Sequence, residues 1–120
     1  MIARIWHGQA TLNKAEAYVS FLGTKVFSEL RNIDGHQGAF VLQRSLLNRG
    51  EVEFIVITLW ESMEAIRFFA GSDPSVAVVE DEARALLSTF DDHVEHFEVA
   101  SSAGIDFFRV RYGINPENNR

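Results

Sequence analysis

Alternation of apolar and polar positions predicts four strands in the first hundred residues. The opening segment, residues 2–8, alternates in this way, and residues 38–46 and 51–60 are rich in apolar and β-branched side chains. Residues 93–99 are predicted to form the last strand. The second and third segments are separated by Asn48-Arg49-Gly50, a length and composition typical of a hairpin.

Apolar residues at helical spacing predict helices between these strands. The first is expected to be capped by Asn13 and to continue to about Arg31. Ser62 is expected to cap a short helix over residues 63–70, and a further helix is predicted from about residue 76 or 79 to residue 89. The order is β-α-β-β-α-β, which predicts a ferredoxin-like α+β fold: an antiparallel sheet with helices on one face.

The chain divides into one domain and an appendix. Residues 1–100 carry the whole β-α-β-β-α-β pattern, and residues 101–120 are predicted to be a C-terminal extension. Within that extension, residues 105–112 alternate as a strand does, which indicates an extra strand or an arm on a partner subunit. The residues from 113 onward are expected to be frayed.

Both faces of the predicted sheet are apolar, although the helices can cover only one. On the third strand the two faces alternate between two apolar sets: Phe54, Val56 and Trp60 on one side, and Ile55, Ile57 and Leu59 on the other. A half-exposed antiparallel sheet alternates apolar with polar residues instead. The pattern therefore predicts a homodimer in which the second face packs on the same face of another copy.

Composition argues against several classes of partner and site. The formal net charge is −6 and no run of Lys or Arg occurs, which argues against nucleic-acid and membrane partners. The longest apolar run, residues 54–60, is too short to span a bilayer, and the N-terminus lacks signal-peptide features, so a cytoplasmic location is expected. No metal site is expected, because there is no cysteine and because His93 and His96 point to opposite faces of one strand.

Several segments resemble the antibiotic-biosynthesis-monooxygenase-like family of dimeric α/β barrels. They are Ile2-Ala3-Arg4-Ile5-Trp6-His7-Gly8, Lys14-Ala15-Glu16-Ala17-Tyr18, Thr58-Leu59-Trp60-Glu61-Ser62-Met63-Glu64-Ala65-Ile66 and Phe90-Asp91-Asp92-His93-Val94-Glu95-His96-Phe97-Glu98-Val99. The resemblance covers about residues 1–100 and implies a ligand cavity between sheet and helices in each subunit. The family includes cofactor-independent monooxygenases acting on polycyclic phenols, haem-degrading oxygenases, and members without known activity.

The leading hypothesis is a cofactor-independent monooxygenase acting on an apolar aromatic small molecule. A histidine is expected to be the base that deprotonates a phenol, and the two candidates are His96 and His7, since imidazole titrates near working pH. The predicted substrate-binding residues are Trp60, Trp6, Arg4, Tyr18 and Phe69. In this scheme the phenolate reacts with dioxygen directly, and no metal or flavin is required.

Two alternatives remain open at this point. The first is a dimer that binds a small molecule without turnover. The second is haem binding or degradation. Two differences from the haem-degrading members of the family make this alternative less favourable. Haem-degrading relatives take their iron ligand from a histidine on the last helix, and residues 80–88 contain none. Those relatives also use an asparagine in the first strand, where this chain has Trp6 and His7.

Overall fold

A computed structural model of the chain describes residues 1–104. The strands are β1 (Ile2–Thr11), β2 (His36–Leu46), β3 (Glu51–Trp60), β4 (Thr89–Phe90) and β5 (Glu95–Glu98). The helices are α1 (Leu12–Phe21), which continues through a π-helical stretch (Leu22–Val26) into α2 (Phe27–Leu30), and then α3 (Met63–Ala70) and α4 (Asp81–Leu86). The predicted α+β class is confirmed. The strand predicted over residues 105–112 lies outside the described residues.

The five strands form one antiparallel sheet with β1 and β3 at its centre. The order is β2-β3-β1-β4, and β5 pairs with β1 on the same side as β4. The β2–β3 hairpin turns through a 3₁₀ turn, Leu47–Arg49, and Gly50 follows it at φ 63°, a left-handed conformation that suits glycine. The sheet and its hairpin thus agree with the sequence pattern.

The last strand is interrupted, which the sequence pattern did not predict. The strand expected over residues 93–99 is present as β5, but a second short strand, β4, precedes it at the point where a helix was expected to end. β4 and β5 pair with opposite ends of β1, in registers that differ by two residues. The chain between them turns aside to hydrogen-bond the loop before α4, through Ala77 N–H to Asp92 O and Val94 N–H to Ser75 O, each 2.9 Å. The interruption therefore anchors that loop to the sheet edge.

Two helix boundaries also differ from prediction. The first helix begins at Leu12, after Thr11, and the predicted cap Asn13 lies inside it; Thr11 Oγ1 donates to the Asn13 side chain instead. The helix expected up to residue 89 is only Asp81–Leu86, since residues 71–80 form a loop. The third helix agrees with prediction: Ser62 Oγ accepts a hydrogen bond from Ala65 N–H at 3.2 Å.

All the helices pack on one face of the sheet. The core on that side forms two clusters, one around Tyr18, Phe54 and Val56 and one around Leu30, Trp60 and Ile66. Gly35, at φ 86°, lets the chain entering β2 pass close to α3, where an added Cβ would lie 2.5 Å from Ala65 Cβ. Within residues 1–104 no helix is long and apolar enough to cross a membrane.

The opposite face of the sheet carries no helix of the described chain. Cross-strand pairs place the same apolar side chains there that the pattern assigned to it, including Ile5 opposite Ile57 and Ile57 opposite Phe40. At the margins of this face Leu42 is 48% exposed and Phe97 is 53% exposed. We call this surface the open face.

Candidate functional site

A cavity of about 130 Å³ lies between the sheet and the long helix. Its floor is the helix side of β1 and β3, its roof is α1 with the π-helical stretch, and the loop before α4 closes one side. The wall is mostly apolar and includes Phe21, Leu22, Val26, Val56, Phe69 and Val94. Such a lining suits an apolar ligand with few polar groups.

Arg4 places a guanidinium group in the wall of this cavity. The side chain comes from near the start of β1 and is only 5% exposed. Its Nη2 donates to Val76 O at 3.0 Å, and its Nη1 donates to Pro74 O. The guanidinium carbon also lies 5.9 Å from the ring centroid of Phe69. Arg4 therefore fastens the loop before α4 to the sheet.

Arg4 makes its described hydrogen bonds to neutral groups, and Glu29 and Glu80 line the same cavity. Within the described part of the chain, no carboxylate forms an ion pair with Arg4. Burial lowers the pKa of Arg4 to about 10, which still leaves the guanidinium charged at neutral pH. A buried cation that is hydrogen-bonded only to neutral groups favours an anionic ligand beside it.

His96 lies directly beside Arg4. Its Nε2 is 2.9 Å from Arg4 Nη1, and because arginine can only donate, Nε2 must accept. The imidazole is therefore neutral in this arrangement, with its proton on Nδ1. Burial and then the positive charge of Arg4 lower the pKa of His96. Of the two predicted bases, His96 is the one on the cavity side of the sheet.

His7 lies on the open face, away from the cavity. It follows Trp6 on β1, and successive strand residues point to opposite faces. Its Nδ1 is 3.6 Å from Asp91 Oδ2, and its side chain is 42% exposed. The structure therefore does not bring the two histidines together in one site.

Three of the predicted aromatic residues reach the cavity and one does not. Trp6, Tyr18 and Phe69 line it. Trp60 lies behind Phe69, stacked on it at a centroid distance of 5.3 Å, and is fully buried. Its indole N–H donates to Thr58 Oγ1 at 2.8 Å. Trp60 thus supports the wall and has no surface on the cavity.

Tyr18 and Trp6 have distinct settings within the wall. Tyr18 is 1% exposed, and its ring centroid is 4.9 Å from that of Phe54. Burial raises the pKa of the Tyr18 phenol, which keeps this side chain neutral. The indole N–H of Trp6 donates to Asp91 O at 2.7 Å, which holds the ring against the start of the strand interruption.

An ion-pair cluster lies at the edge of the cavity. Lys25, on the π-helical stretch, approaches Glu80 Oε2 at 3.7 Å and Glu82 Oε1 more closely. The hydrogen bond that Lys25 Nζ donates to Glu82 Oε1 raises the pKa of Lys25. Glu80 is itself part of the cavity wall. The cluster therefore links the roof of the cavity to the loop that closes its side.

Some cavity residues were not among the predicted site residues. Thr58 is buried and lines the cavity, and its hydroxyl was recognisable as the single polar group in the apolar run of residues 54–60. The loop residues 77–80 also contribute, and no sequence feature indicated that they fold over the sheet. The same is true of the π-helical stretch, a feature that is frequent at functional sites.

Metal ligands are not clustered in this part of the protein. Among residues 1–104, no group of three or more histidine, aspartate or glutamate side chains could hold a metal ion. The polar groups at the cavity are instead those of Arg4, Thr58 and Tyr18, with Glu29 and Glu80 at its edge. The site offers positive charge and apolar surface.

Several solved structures have the same fold. A proposed antibiotic biosynthesis monooxygenase from Bacillus cereus aligns with a TM-score of 0.58 at 20% identity, covering 88% of this chain and 96% of that one. A Streptomyces coelicolor monooxygenase in complex with nanaomycin D aligns at 0.57 and 15%, covering 87% and 89%. A Mycobacterium tuberculosis haem degrader with two haems in its active site aligns at 0.57 and 19%, covering 87% and 100%.

These likenesses concern the fold. No family model matches the sequence, and no curated protein matches it. The fold expected from the resemblance to antibiotic biosynthesis monooxygenases is confirmed, with helices on one face of an antiparallel sheet. One fold supports several chemistries, so the function must be argued from the cavity.

Proposed function

We propose that this protein is a cofactor-independent monooxygenase that acts on an apolar aromatic small molecule. The observation that carries the proposal is the buried guanidinium of Arg4 in the wall of a mostly apolar cavity, with no ion pair to a carboxylate within residues 1–104. A phenol bound there would find a hydrophobic setting for its ring and a positive charge for its oxygen. Both favour the electron-rich phenolate over the neutral phenol.

The chemistry requires only the substrate and dioxygen. A phenolate carries electron density on its ring carbons, and one of these carbons can form a bond to dioxygen, giving a ring hydroperoxide. Cleavage of the O–O bond with loss of water then yields a quinone. One oxygen atom enters the product and the other leaves as water, so a phenol and one dioxygen give a quinone and one water, with dioxygen as the oxidant.

In this proposal Arg4, His96 and the two aromatic residues have separate roles. Arg4 holds the anionic oxygen and thereby lowers the pKa of the bound phenol. His96 is neutral, as a general base must be, and it accepts the proton once Arg4 turns its Nη1 donor toward the substrate. Trp6 and Phe69 hold the ring and exclude water.

Oxygen uptake with a panel of phenols tests the proposal. We expect consumption with at least one phenol, and we expect His96→Ala to reduce the rate by about 10²-fold or more, the usual contribution of a general base. His7→Ala is the matched variant on the open face and is expected to keep most of the rate. Wild-type rates in both variants would reject the assignment of a histidine base.

A non-catalytic binding protein is the second candidate, and one observation favours it. The lone pair of His96 Nε2 is already engaged by Arg4, and the pKa of His96 is lowered, so it is a weak base. The same cavity would serve a protein that only binds its ligand. Thermal stabilisation by a phenol without oxygen consumption would favour this candidate over the monooxygenase.

Haem fits the described residues poorly. No histidine is present in α4 or in the cavity wall formed by residues 1–104. Tyr18 does reach the cavity, but its raised pKa disfavours the phenolate that would bind iron. The cavity of about 130 Å³ is also close to the size that holds one benzene ring, far smaller than a porphyrin.

The functional unit in this proposal is a homodimer. Its support is the open face, where Ile5, Ile57 and Phe40 are cross-strand neighbours and form a continuous apolar surface. In a sheet with one solvent-exposed face, these positions would be polar. Two copies related by a twofold axis would cover that face in each other. Light scattering after size exclusion should give twice the chain mass, and the mass of one chain in dilute solution would contradict it.

A further inference from the structure

We propose that the ligand of this cavity is a single-ring aromatic anion, with Arg4 as the residue that selects for its charge. This inference rests on the proposed function, because it concerns the ligand of the same cavity. It goes further by giving the size and the charge of the ligand. The family that the chain resembles includes monooxygenases acting on polycyclic phenols, and a one-ring ligand differs from the substrates of those members.

The size of the cavity limits the ligand to about one ring. An apolar cavity of roughly 150 Å³ holds one benzene molecule, and the cavity here measures about 130 Å³. Fully buried residues stand behind parts of the wall, Phe54 behind Tyr18 and Trp60 behind Phe69. A second fused ring would have to displace such side chains from a close-packed core, which is costly.

The charge argument concerns the hydrogen bonds of Arg4. A guanidinium has five N–H donors, and three contacts are made within the described residues: to Pro74 O, to Val76 O and to His96 Nε2. The two remaining N–H groups are on Nε and Nη2. These two can donate to the oxygen atoms of an anion, and such charge-assisted bonds are about twice as strong as neutral ones.

The surroundings of Arg4 explain why an anion is favoured over a neutral ligand. All three of its present partners are uncharged. The acidic residues at the cavity edge are engaged elsewhere in part, since Glu80 approaches Lys25 at 3.7 Å. Because no carboxylate of residues 1–104 forms an ion pair with the buried guanidinium, a ligand anion would supply that partner. Removing that anionic group from a ligand of the same shape should weaken binding substantially.

Calorimetric titration under argon with three probes tests the proposal. The probes are 4-hydroxybenzoate, its neutral analogue 4-hydroxybenzamide, and the two-ring acid 6-hydroxy-2-naphthoate. We expect 4-hydroxybenzoate to bind roughly tenfold or more tightly than either of the others, a ratio that corresponds to about 1.4 kcal/mol. Excluding dioxygen separates this test from oxygen uptake, so binding selectivity without turnover would defeat the monooxygenase and leave this inference standing.

Variants of Arg4 locate the selectivity. In Arg4→Met the preference for the acid over the amide should fall close to one, and Arg4→Lys should restore part of it because the charge returns. Arg67→Met is the control, since Arg67 is an exposed cation on α3, and the preference should be unchanged. Circular dichroism establishes whether each variant is folded. If Arg4→Met is not folded, the affinity ratios of the three probes for the wild-type protein decide the test.

Three results would overturn the proposal. The first is equal binding of the acid and the amide by the wild-type protein. The second is tighter binding of the two-ring acid, which would show that the cavity opens for larger ligands. The third is an absence of binding by all three probes.

Discussion

The two candidate bases, His96 and His7, lie on opposite faces of the sheet at β1. Their surroundings differ in burial, in charge and in hydrogen bonding. On the helix side, Arg4 is buried and donates to His96 and to the loop before α4. On the open face, His7 is half exposed beside the carboxylate of Asp91. The one side encloses a cavity with a positive charge, and the other is a broad apolar surface.

This difference shows that apolar patterning alone does not say how a face is buried. Both faces of β3 are largely apolar, with valine and aromatic residues on the helix side and isoleucine and leucine on the open face. The helix side reaches full burial within the chain, as in Phe54 at 0% exposure, whereas Phe97 on the open face remains 53% exposed. In the proposed homodimer a second copy buries the open face, so substitutions on the two sides should have different consequences.

The largest effect is expected for a charge placed on the helix side. Phe54→Asp removes a fully buried ring and buries an unpaired carboxyl group, which should cost about 5 kcal/mol or more. That is comparable to the whole stability of a small domain. We expect loss of the folded state, measured by circular dichroism and urea unfolding.

The matched substitution on the open face is Ile57→Asp. It should leave the chain folded but weaken self-association, by roughly 2 kcal/mol or more if Ile57 is central to the interface. Light scattering across a concentration series measures the association. If both variants unfold, or if both stay folded and dimeric, the proposed contrast between the faces is wrong.

Truncating an aromatic side chain on the helix side is expected to destabilise the fold less than Phe54→Asp does. Trp60→Ala removes the ring between Phe69 and His36 and should lower the free energy of unfolding by about 3–5 kcal/mol. Phe97→Ala, on the open face, should lower it far less when measured at low protein concentration. Urea denaturation of both variants provides the measurement, and equal losses would show that Phe97 is part of the chain's own core.

The smallest effect is a pH dependence from His96. Burial and the charge of Arg4 hold the pKa of His96 in the folded state below its usual value, so between the folded and unfolded pKa values the unfolded chain binds more protons. Stability should therefore fall as pH falls through this window and should be insensitive to His96 above it. Thermal unfolding from pH 7.5 to 5 is expected to show a shallower loss in His96→Gln than in wild type.

The control for this pH dependence is His93→Gln, since His93 is exposed on the same segment. It should keep the wild-type slope. A slope unchanged in His96→Gln would mean that the imidazole is not held neutral by burial and Arg4.

Much of the fold follows from local pattern. The boundaries of β3 and α3 agree with the prediction because a buried strand and a capped amphipathic helix both have short-range signals, such as Ser62 before Met63–Ala70. The last strand and α4 were predicted less well. Their form depends on Ala77 and Val94 finding backbone partners on distant segments, which no local pattern encodes.

The site was predictable in part for the same reason. Arg4, Trp6, Tyr18 and Phe69 were named from the sequence, and the structure brings all four to one cavity. Trp60 was expected there as well but stands behind Phe69, since the register of the sheet places it beyond the cavity. Residues 77–80 were not anticipated, because a loop has no periodicity from which its position could be inferred.

By itself, the sequence determined the strand and helix order, the apolar character of both sheet faces, and which side chains share a face of each strand, because all of these depend on neighbours within a few residues. Only the tertiary structure decided that Arg4 and His96, 92 positions apart, meet at 2.9 Å. It also decided that one histidine lies beside Arg4 on the helix side of the sheet while the other lies on the open face beside Asp91. Those contacts depend on the pairing of β1 with β5 and on the folding of a loop, which are long-range events.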